Sequence, residues 1–285
     1  MIQSILVVGG TGMLGEPVAR RLCAAGHHVR IFTRNVEKAA ARFGADYEIV
    51  AGDVEDRAAL DAALKGCQGV HINLDGGQDP DLERRGAENV AQAAAATDIQ
   101  RLTYLSGASS TAENAWYTGA RAKVAAEAAI QRAGMPYTIF KATFFMESLP
   151  RFVRGARASI IGSQPTPWHW VAAGDYARMV AAAYATPAAA NKTLYVYGPA
   201  TLTMLQALQV YCAAVHPGAK VGALPFWMAS LIAALSGDKD LKAAIPFFRY
   251  TAKVTETGDP AEANALLGAP QTTLQAWSEA RKRMV

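Results

Sequence analysis

Cysteine and long runs of one charge are scarce in this sequence of 285 residues. Its three cysteines, Cys23, Cys67 and Cys212, are far apart and form no Cys-x-x-Cys pair. An odd number at such spacings argues against a disulfide framework or a cysteine zinc site, and fits a reducing cytoplasm. The 28 basic and 24 acidic residues are interspersed, so no segment predicts a nucleic-acid-binding arm.

A long apolar segment is also missing. The longest, residues 222–235, is interrupted by Pro225 and is shorter than the roughly 20 apolar residues that span a bilayer. The N-terminus has neither the basic region nor the cleavage site of a signal peptide. We therefore expect a cytoplasmic protein that binds a small-molecule substrate, contacts neither membrane nor nucleic acid, and exists as a monomer or small homo-oligomer.

Short apolar runs alternate with longer helical patterns through the first half of the chain, which is typical of strand–helix–strand units. The predicted fold class is α/β: a doubly wound parallel Rossmann sheet with a smaller, mostly helical C-terminal substrate lobe. The predicted strands of the first half are residues 5–8, 29–33, 47–51, 69–73, 101–106 and 137–141.

The alternation ends after about residue 146. We predict a dinucleotide-binding Rossmann domain over residues 1–155, to which residues 172–200 return with one more strand. Residues 201–285, together with 156–171, form the predicted smaller lobe for substrate binding. Its predicted helices are residues 204–215, 227–235, 240–250 and 260–267.

A glycine-rich segment, Gly9-Gly10-Thr11-Gly12-Met13-Leu14-Gly15, directly follows the first predicted strand. Gly9 and Gly12 allow a tight turn and let the backbone approach a pyrophosphate, while Gly15 lets the next helix pack on the sheet. The strand before it and the helix after it make the motif specific. We predict that all seven residues form the turn that binds a dinucleotide.

The end of the second strand predicts which dinucleotide is bound. An NAD site usually has Asp or Glu about 20 residues beyond the glycine motif, and Thr33-Arg34-Asn35 has neither. Arg34 can hold a 2′-phosphate, with Lys38 as a second positive charge, so we expect NADP(H) in preference to NAD(H). Asp53, followed by Val54, is predicted to accept from the adenine amino group or to cap the next helix, and the two roles are compatible.

Several segments together resemble the NmrA-like branch of the atypical short-chain dehydrogenase/reductase superfamily. They are the glycine motif, Thr33-Arg34-Asn35, Gly52-Asp53 and residues 123–127, 134–147 and 258–264. The resemblance implies an NAD(P)-binding Rossmann fold but not one reaction, since this branch holds quinone, enone and phenylpropanoid reductases and redox sensors without turnover. Further predicted cofactor contacts are Asn73, Ser106, Gly107, Lys123, Thr143 and Phe144.

The superfamily usually has Tyr-x-x-x-Lys on the helix after the fifth strand, which puts a phenol and an ammonium group on one face. Here Gly119 lies four residues before Lys123, and Tyr117 lies six before it, on another face of a regular helix. Three interpretations are open. Lys123 contacts the nicotinamide ribose and helps to deliver a proton; Tyr117 and Arg121 form a displaced acid pair; or neither acts, and Lys123 pairs with Glu127.

Aromatic and hydroxyl side chains near the ends of the predicted strands are typical of a flat, apolar ligand site. For Phe145, core packing is the alternative. No histidine pair has metal-ligand spacing, so no metal site is predicted, and His169 is the only histidine near a plausible pocket. The predicted substrate contacts are Ser109, Trp116, Tyr117, Phe144, Phe145 and Trp168.

These patterns predict an NADPH-dependent reductase that transfers hydride to a small aromatic, quinone or enone-like molecule. The cofactor would carry the chemistry, and the protein would position and polarise the reactants. The alternative hypothesis is a regulatory protein that binds NADP(H) and senses redox state without turnover.

Overall fold

The structure, a computed structural model, describes residues 3–77, 79 and 81–283. It divides into two compact units. The first comprises Met1–Ala142, Ala173–Val196 and Asp259–Gly268. The second comprises Thr143–Ala172, Tyr197–Gly258 and Ala269–Val285.

Strands and helices are numbered in chain order. The strands are β1 (Ser4–Val8), β2 (His28–Thr33), β3 (Glu48–Ala51), β4 (Gly69–Ile72), β5 (Arg101–Gly107), β6 (Tyr137–Ala142), β7 (Val153–Arg154), β8 (Arg157–Ile161), β9 (Pro167–His169), β10 (Lys192–Val196), β11 (Thr201–Thr203) and β12 (Lys220–Leu224). The helices are α1 (Gly15–Ala24), α2 (Val36–Phe43), α3 (Arg57–Leu64), α4 (Leu82–Ala95), α5 (Thr118–Arg132), α6 (Ala173–Ala185), α7 (Met204–Val215), α8 (Phe226–Ser236), α9 (Lys239–Thr251), α10 (Ala261–Leu267) and α11 (Leu274–Lys282).

Seven of the described strands form one parallel sheet in the first unit, in the order β10-β6-β5-β4-β1-β2-β3. Strands buried on both faces are continuously apolar, and Ile5, Leu6 and Val7 of β1 are fully buried. The strand order reverses between β1 and β4, and sheets of this kind bind ligands at the carboxyl ends of the strands beside such a reversal. The predicted doubly wound α/β fold is confirmed.

Local side-chain caps fix where two helices of the first unit begin. Asn35 Oδ1 accepts from the backbone N–H of Lys38 at 2.9 Å, at the start of α2. Asp56 Oδ1 accepts from the backbone N–H of Ala59 at 3.1 Å, at the start of α3. The cap of α3 is therefore Asp56 and not Asp53, which leaves the adenine contact as the prediction for Asp53.

The second unit contains small sheets that the sequence patterns did not predict. Strands β12, β8 and β7 form one, and β11 pairs with β9 in another. The apolar segment 222–235 is part strand and part helix, because Pro225 ends β12 and precedes α8. Helices α7, α8, α9 and α11 also belong to this unit, and its core includes Trp170, Leu208 and Trp277.

The observed limits of the two units differ from the predicted domains over residues 143–155, 172, 197–200 and 259–268. Residues 143–155 lie in the second unit, where Val171 exchanges backbone hydrogen bonds with Phe144 and Met146. Residues 259–268 lie in the first unit, where Arg178 donates to the carbonyl of Leu267 at 2.7 Å. These are contacts between distant parts of the chain, which hydrophobic periodicity does not report. No helix among the described residues is long and apolar enough to cross a membrane.

Candidate dinucleotide-binding site

The glycine turn after β1 is closed by its own backbone. The N–H of Gly12 donates to the carbonyl of Gly9 at 3.0 Å. Gly9 has a φ of +79°, and a Cβ on it would lie 2.0 Å from the carbonyl oxygen of Asn73. A Cβ on Gly15 would lie 2.2 Å from the carbonyl oxygen of Gly9. Both glycines are therefore required by the turn and by its packing.

Gly12 differs from these two glycines because a Cβ on it would make a single tight contact and no severe clash. It is exposed, and the one atom within 4 Å of an ideal Cβ is the carbonyl oxygen of Gly9, at 3.2 Å. The space that a side chain would fill lies at the N-terminal end of α1, where backbone N–H groups and the helix dipole favour an anion. This geometry fits the pyrophosphate of a dinucleotide.

A cavity of about 280 Å³ lies at the carboxyl ends of β1 to β4, next to the glycine turn. It brings together eight of the predicted cofactor contacts: Gly9, Thr11, Gly12, Thr33, Arg34, Asp53, Val54 and Asn73. It is also lined by six residues that were not predicted: Val8, Phe32, Gly52, Leu74, Asp75 and Leu82. Gly10, Met13, Leu14 and Gly15 lie in the turn or at the start of α1, outside the lining.

Charged side chains at the ends of β2 and β3 are held loosely. The guanidinium Nη1 of Arg34 lies 3.9 Å from Asp53 Oδ2, and the Arg34 side chain is 75% exposed. An exposed ion pair of this length contributes little to stability, so Arg34 is free to form two hydrogen bonds with a phosphate. Arg42, a residue not predicted, donates to the carbonyl of Thr11 at 2.9 Å and pairs with Glu16. It ties α2 to the glycine turn.

Lys123 takes part in a buried hydrogen-bonded group that joins α4, β5 and α5. Its Nζ lies 2.5 Å from Glu83 Oε1, and the hydroxyl of Tyr104 donates to the same oxygen at 2.8 Å. Burial and the neighbouring Glu83 carboxylate raise the pKa of Tyr104 well above its usual value, so its phenol remains a donor. The predicted alternative pairing of Lys123 with Glu127 does not occur.

Glu127 instead faces β5 and β6. Its carboxylate lies 3.2 Å from Lys141 Nζ and accepts a hydrogen bond from the hydroxyl of Ser106. Lys141 Nζ also donates to the carbonyl of Ser110 at 2.7 Å. Ser106, a predicted cofactor contact, is thus engaged in this ion pair. At Gly107 an ideal Cβ would lie 2.9 Å from the Ser110 hydroxyl, so the glycine is needed for close packing.

Tyr117 lies over the first turn of α5. A Cβ at Gly119 would be 2.7 Å from the Tyr117 ring and 3.3 Å from its hydroxyl oxygen. Tyr117 is the N-cap of α5 and has an extended backbone, so regular helical spacing does not determine where its ring lies.

The remaining predicted substrate contacts of the first unit lie in the loop after β5. Trp116 is 54% exposed, and the carbonyl of Ser109 accepts from the Asn114 side chain at 2.8 Å. The Trp116 side chain is therefore largely accessible to solvent, whereas Ser109 is partly occupied with its own loop. Among the described residues, no group of three His, Cys, Asp or Glu side chains is placed to hold a metal ion.

Four predicted contacts lie in the second unit. Phe144 stacks on Trp170, with ring centroids 5.3 Å apart, and meets Trp168 edge-on at 4.9 Å. Trp168 and Phe145 are only 2% and 8% exposed, which favours core packing over substrate contact for both. The fourth, Thr143, donates through its hydroxyl to Glu256, a residue that no sequence motif indicated.

Glu256 also holds His169. Its Oε2 lies 2.6 Å from the Nδ1 of His169, and its Oε1 accepts from the backbone N–H of His169 at 2.7 Å. The His169 ring is stacked on Tyr197, at a centroid distance of 4.8 Å and an angle of 16°. The two partners are 87 residues apart in the sequence, so the pair is formed by the tertiary structure alone.

Comparison with known proteins identifies the family. The model of the NmrA-like family matches residues 1–266. A (4-alkanoyl-5-oxo-2,5-dihydrofuran-3-yl)methyl phosphate reductase from Streptomyces griseus is 37% identical over 155 residues, which cover 54% of this chain and 52% of that protein. The isoflavone reductase homolog IRL of Zea mays is 30% identical over 222 residues, 70% of this chain and 69% of that protein. The match thus spans about half the length of the Streptomyces relative.

A solved structure with the same fold is the Citrobacter sp. triphenylmethane reductase complexed with NADP(H). It aligns with a TM-score of 0.79 over 98% of this chain and 99% of that chain. The two sequences are 20% identical, so the likeness concerns the fold.

Proposed function

The chain belongs to the NmrA-like family, and from this membership we propose that it is an NADPH-dependent reductase. Its acceptor is a small aromatic, quinone or enone-like molecule with an electron-poor carbon. The observation that carries the proposal is the glycine turn at the start of α1, where an exposed Gly12 leaves the N-terminal end of the helix uncovered. The two curated relatives compared above, both named as reductases or a reductase homolog, support it.

The residues of the cavity fit NADPH, which supplies a hydride when bound. The backbone of the glycine turn would hold the pyrophosphate, and Arg34 would hold the 2′-phosphate. Asp53, whose Oδ1 accepts from the backbone N–H of Glu55 at 3.0 Å, keeps a second carboxylate oxygen available for the adenine amino group. Preference for NADP(H) follows from Arg34, since no carboxylate follows β2 to accept from a free 2′-hydroxyl.

Lys123 is the residue that we propose for the nicotinamide end of the cofactor. Its ammonium group would contact the nicotinamide ribose and assist proton delivery, with Ser106, Gly107, Thr143 and Phe144 as further cofactor contacts. Glu83, which also accepts a hydrogen bond from the Tyr104 hydroxyl, holds that ammonium group in one position, as a preorganised site requires. Tyr117 would mainly shape the pocket with its ring.

A second candidate function is redox sensing by a protein that binds NADP(H) without turnover. The observation that favours it is the pairing of Lys123 with Glu83, which uses a hydrogen bond that a catalytic ammonium group would offer to a ligand. The glycine at position 119, in place of the usual tyrosine, also favours a protein without turnover.

One experiment separates the two functions. NADPH affinity is measured by calorimetry, and NADPH oxidation is then followed with a panel of quinones, enones and cationic triphenylmethane dyes. The reductase proposal expects steady oxidation with at least one acceptor class. Tight NADPH binding with no turnover across the panel would contradict it and support the sensor.

A further inference from the structure

We propose that Arg42 is a positioning residue for the cofactor, because it holds the peptide bond between Thr11 and Gly12 in the orientation in which the glycine turn receives a pyrophosphate. The proposal rests on the cofactor site proposed above. It concerns a side chain of α2 that no sequence motif indicated, and all of its contacts lie within the first unit.

The peptide bond between Thr11 and Gly12 is held at both of its polar ends. Its carbonyl oxygen, which belongs to Thr11, accepts from Nη1 of Arg42 at 2.9 Å. Its N–H, which belongs to Gly12, donates to the carbonyl of Gly9 at 3.0 Å. Because a peptide bond is planar, fixing its two polar ends fixes the orientation of the whole unit. Thr11 and Gly12 line the cavity, so this peptide bond is part of the cavity wall.

Arg42 is itself held by a carboxylate. Its Nη2 pairs with Glu16 in the first turn of α1, and the Glu16 side chain is 18% exposed. One nitrogen of the guanidinium group thus contacts the turn, and another contacts the helix that follows the turn. Because the charge of Arg42 already has this partner, we expect it to act through the position of the Thr11 carbonyl and not by attracting a phosphate.

A second arginine joins α1 to α2 without contacting the turn. Arg20 Nε donates to Glu16 Oε1 at 2.9 Å, and Arg20 Nη2 donates to the carbonyl of Arg42 at 3.0 Å. Its guanidinium carbon lies 5.3 Å from the centre of the Phe43 ring. Among the contacts of the described residues, only those of Arg42 reach the turn, at Thr11. The two arginines therefore allow helix packing to be separated from positioning of the turn.

Without Arg42, the turn would have to be ordered when the cofactor binds. Ordering the backbone of one residue opposes binding by a factor of roughly ten. The N–H groups of Met13 and Leu14, which donate to no acceptor within the described chain, directly follow this peptide bond at the start of α1, where the anion is expected. Arg42 should therefore favour any ligand with a pyrophosphate, whatever group its 2′ position carries.

Three ligands separate this role from that of Arg34. NADPH carries a pyrophosphate and a 2′-phosphate, NADH carries only the pyrophosphate, and adenosine 2′-monophosphate carries only the 2′-phosphate. In calorimetry, Arg42→Met should weaken NADPH and NADH by the same factor, roughly tenfold, and leave adenosine 2′-monophosphate unchanged. Arg34→Ala should instead weaken NADPH and adenosine 2′-monophosphate and spare NADH.

Arg20→Met is the matched control, because it removes a guanidinium group from the same contact between α1 and α2. Both variants should lower the midpoint of urea unfolding slightly, since each loses partly exposed ion pairs. Only Arg42→Met should weaken NADPH binding. A loss of affinity that came from helix packing alone would appear in both variants.

A second measurement needs no ligand. Amide hydrogen exchange reports how firmly the N–H of Gly12 is held by the carbonyl of Gly9. Arg42→Met should speed exchange at Gly12, and Arg20→Met should not. The ratio of NADPH affinities between the unchanged protein and Arg42→Met should also be the same at low and high salt, because Arg42 is not proposed to contact a phosphate.

The outcomes are distinguishable. A loss confined to NADPH and adenosine 2′-monophosphate, or one that shrinks at high salt, would identify Arg42 as a direct phosphate contact and overturn the proposal. Equal weakening of NADPH in Arg20→Met, or none in Arg42→Met, would also overturn it while the cofactor site stands. If the unchanged protein binds neither dinucleotide, the cofactor site fails and this role fails with it. If NADPH alone binds measurably, a salt-independent loss with faster exchange at Gly12 supports the proposal, and unchanged exchange overturns it.

Discussion

The dinucleotide cavity of the first unit and the His169–Glu256 pair of the second are built from different parts of the chain. The cavity lies beside the backbone of Gly9 and Gly12, and it depends on these two residues having no side chain. The pair is formed by two side chains whose residues are 87 apart in the sequence, and it depends on the imidazole and carboxylate groups themselves. Adding a side chain should therefore damage the first site, whereas removing a functional group should damage the second.

The largest expected effect is at the glycine turn. Gly12→Val places a branched side chain in the space left for the pyrophosphate, so NADPH binding should disappear. Circular dichroism should show an unchanged fold, because the one close contact of the new Cβ, 3.2 Å from the Gly9 carbonyl oxygen, needs a shift of only a few tenths of an ångström. Gly174→Ala is the matched control, since an ideal Cβ at Gly174 meets no atom within 4 Å. Calorimetry that finds full NADPH affinity in Gly12→Val would disprove the anion site.

The next effect concerns Lys123. Because its ammonium group is proposed to organise the cofactor as well as to assist proton delivery, Lys123→Ala should lower kcat by at least about 10²-fold. The loss should appear with enones and with cationic dyes alike. Tyr117→Phe keeps the ring over Gly119 and should cost much less. The reverse ranking in steady-state kinetics would identify the tyrosine as the acid.

Arg34 should have a smaller effect, confined to one cofactor. Loss of a charge-assisted hydrogen-bonding partner costs about 1.5–3 kcal/mol, or roughly ten- to a hundred-fold in affinity. Arg34→Ala should weaken NADPH binding by that factor and leave NADH nearly unchanged, as measured by calorimetry. Lys38→Ala is the control on the next helical turn, and its effect should be smaller. Equal affinities of the unchanged protein for NADPH and NADH would contradict the assignment.

The smallest expected effect is a pH dependence of the stability that arises from His71. His71 is fully buried, and burial lowers its pKa to about 3. An unfolded histidine takes up a proton near pH 6.5, so the neutral folded form loses stability as the pH falls below that value. The free energy of unfolding should be about 2 kcal/mol lower at pH 5 than at pH 7 from this group alone. In urea titrations at both pH values, His71→Gln should lack this part of the difference, and an unchanged difference would refute it.

The parts of the fold that were predictable are those with a local signal. Strands β1 to β6 lie within one residue of the predicted ones at nearly every end, because each is a short apolar run bounded by turns. The short strands β7, β9 and β11 have two or three residues and carry no usable periodicity. Helix α11 was not predicted, although Thr273 caps it by accepting from the backbone N–H of Ala276.

In the candidate site, too, the predictable parts are those encoded by neighbouring residues. The glycine motif and the Thr33-Arg34-Asn35 segment are contiguous, and the cavity contains residues of both. The partner of Lys123 was not predictable, because Glu83 lies 40 residues away and is one of two acidic residues on α4. The nearest acidic residue at helical spacing, Glu127, pairs with Lys141 instead.

The sequence by itself determined the parallel sheet, the glycine turn and the absence of an acidic residue at the end of β2. Each of these is encoded in neighbouring residues, whose spacing has a direct conformational meaning. Only the tertiary structure decided which charges pair and where the Tyr117 ring lies. It alone joined His169 to Glu256. Ion pairs and ring contacts of this kind form between distant segments, so their partners are chosen by packing and by the cost of leaving a buried charge alone.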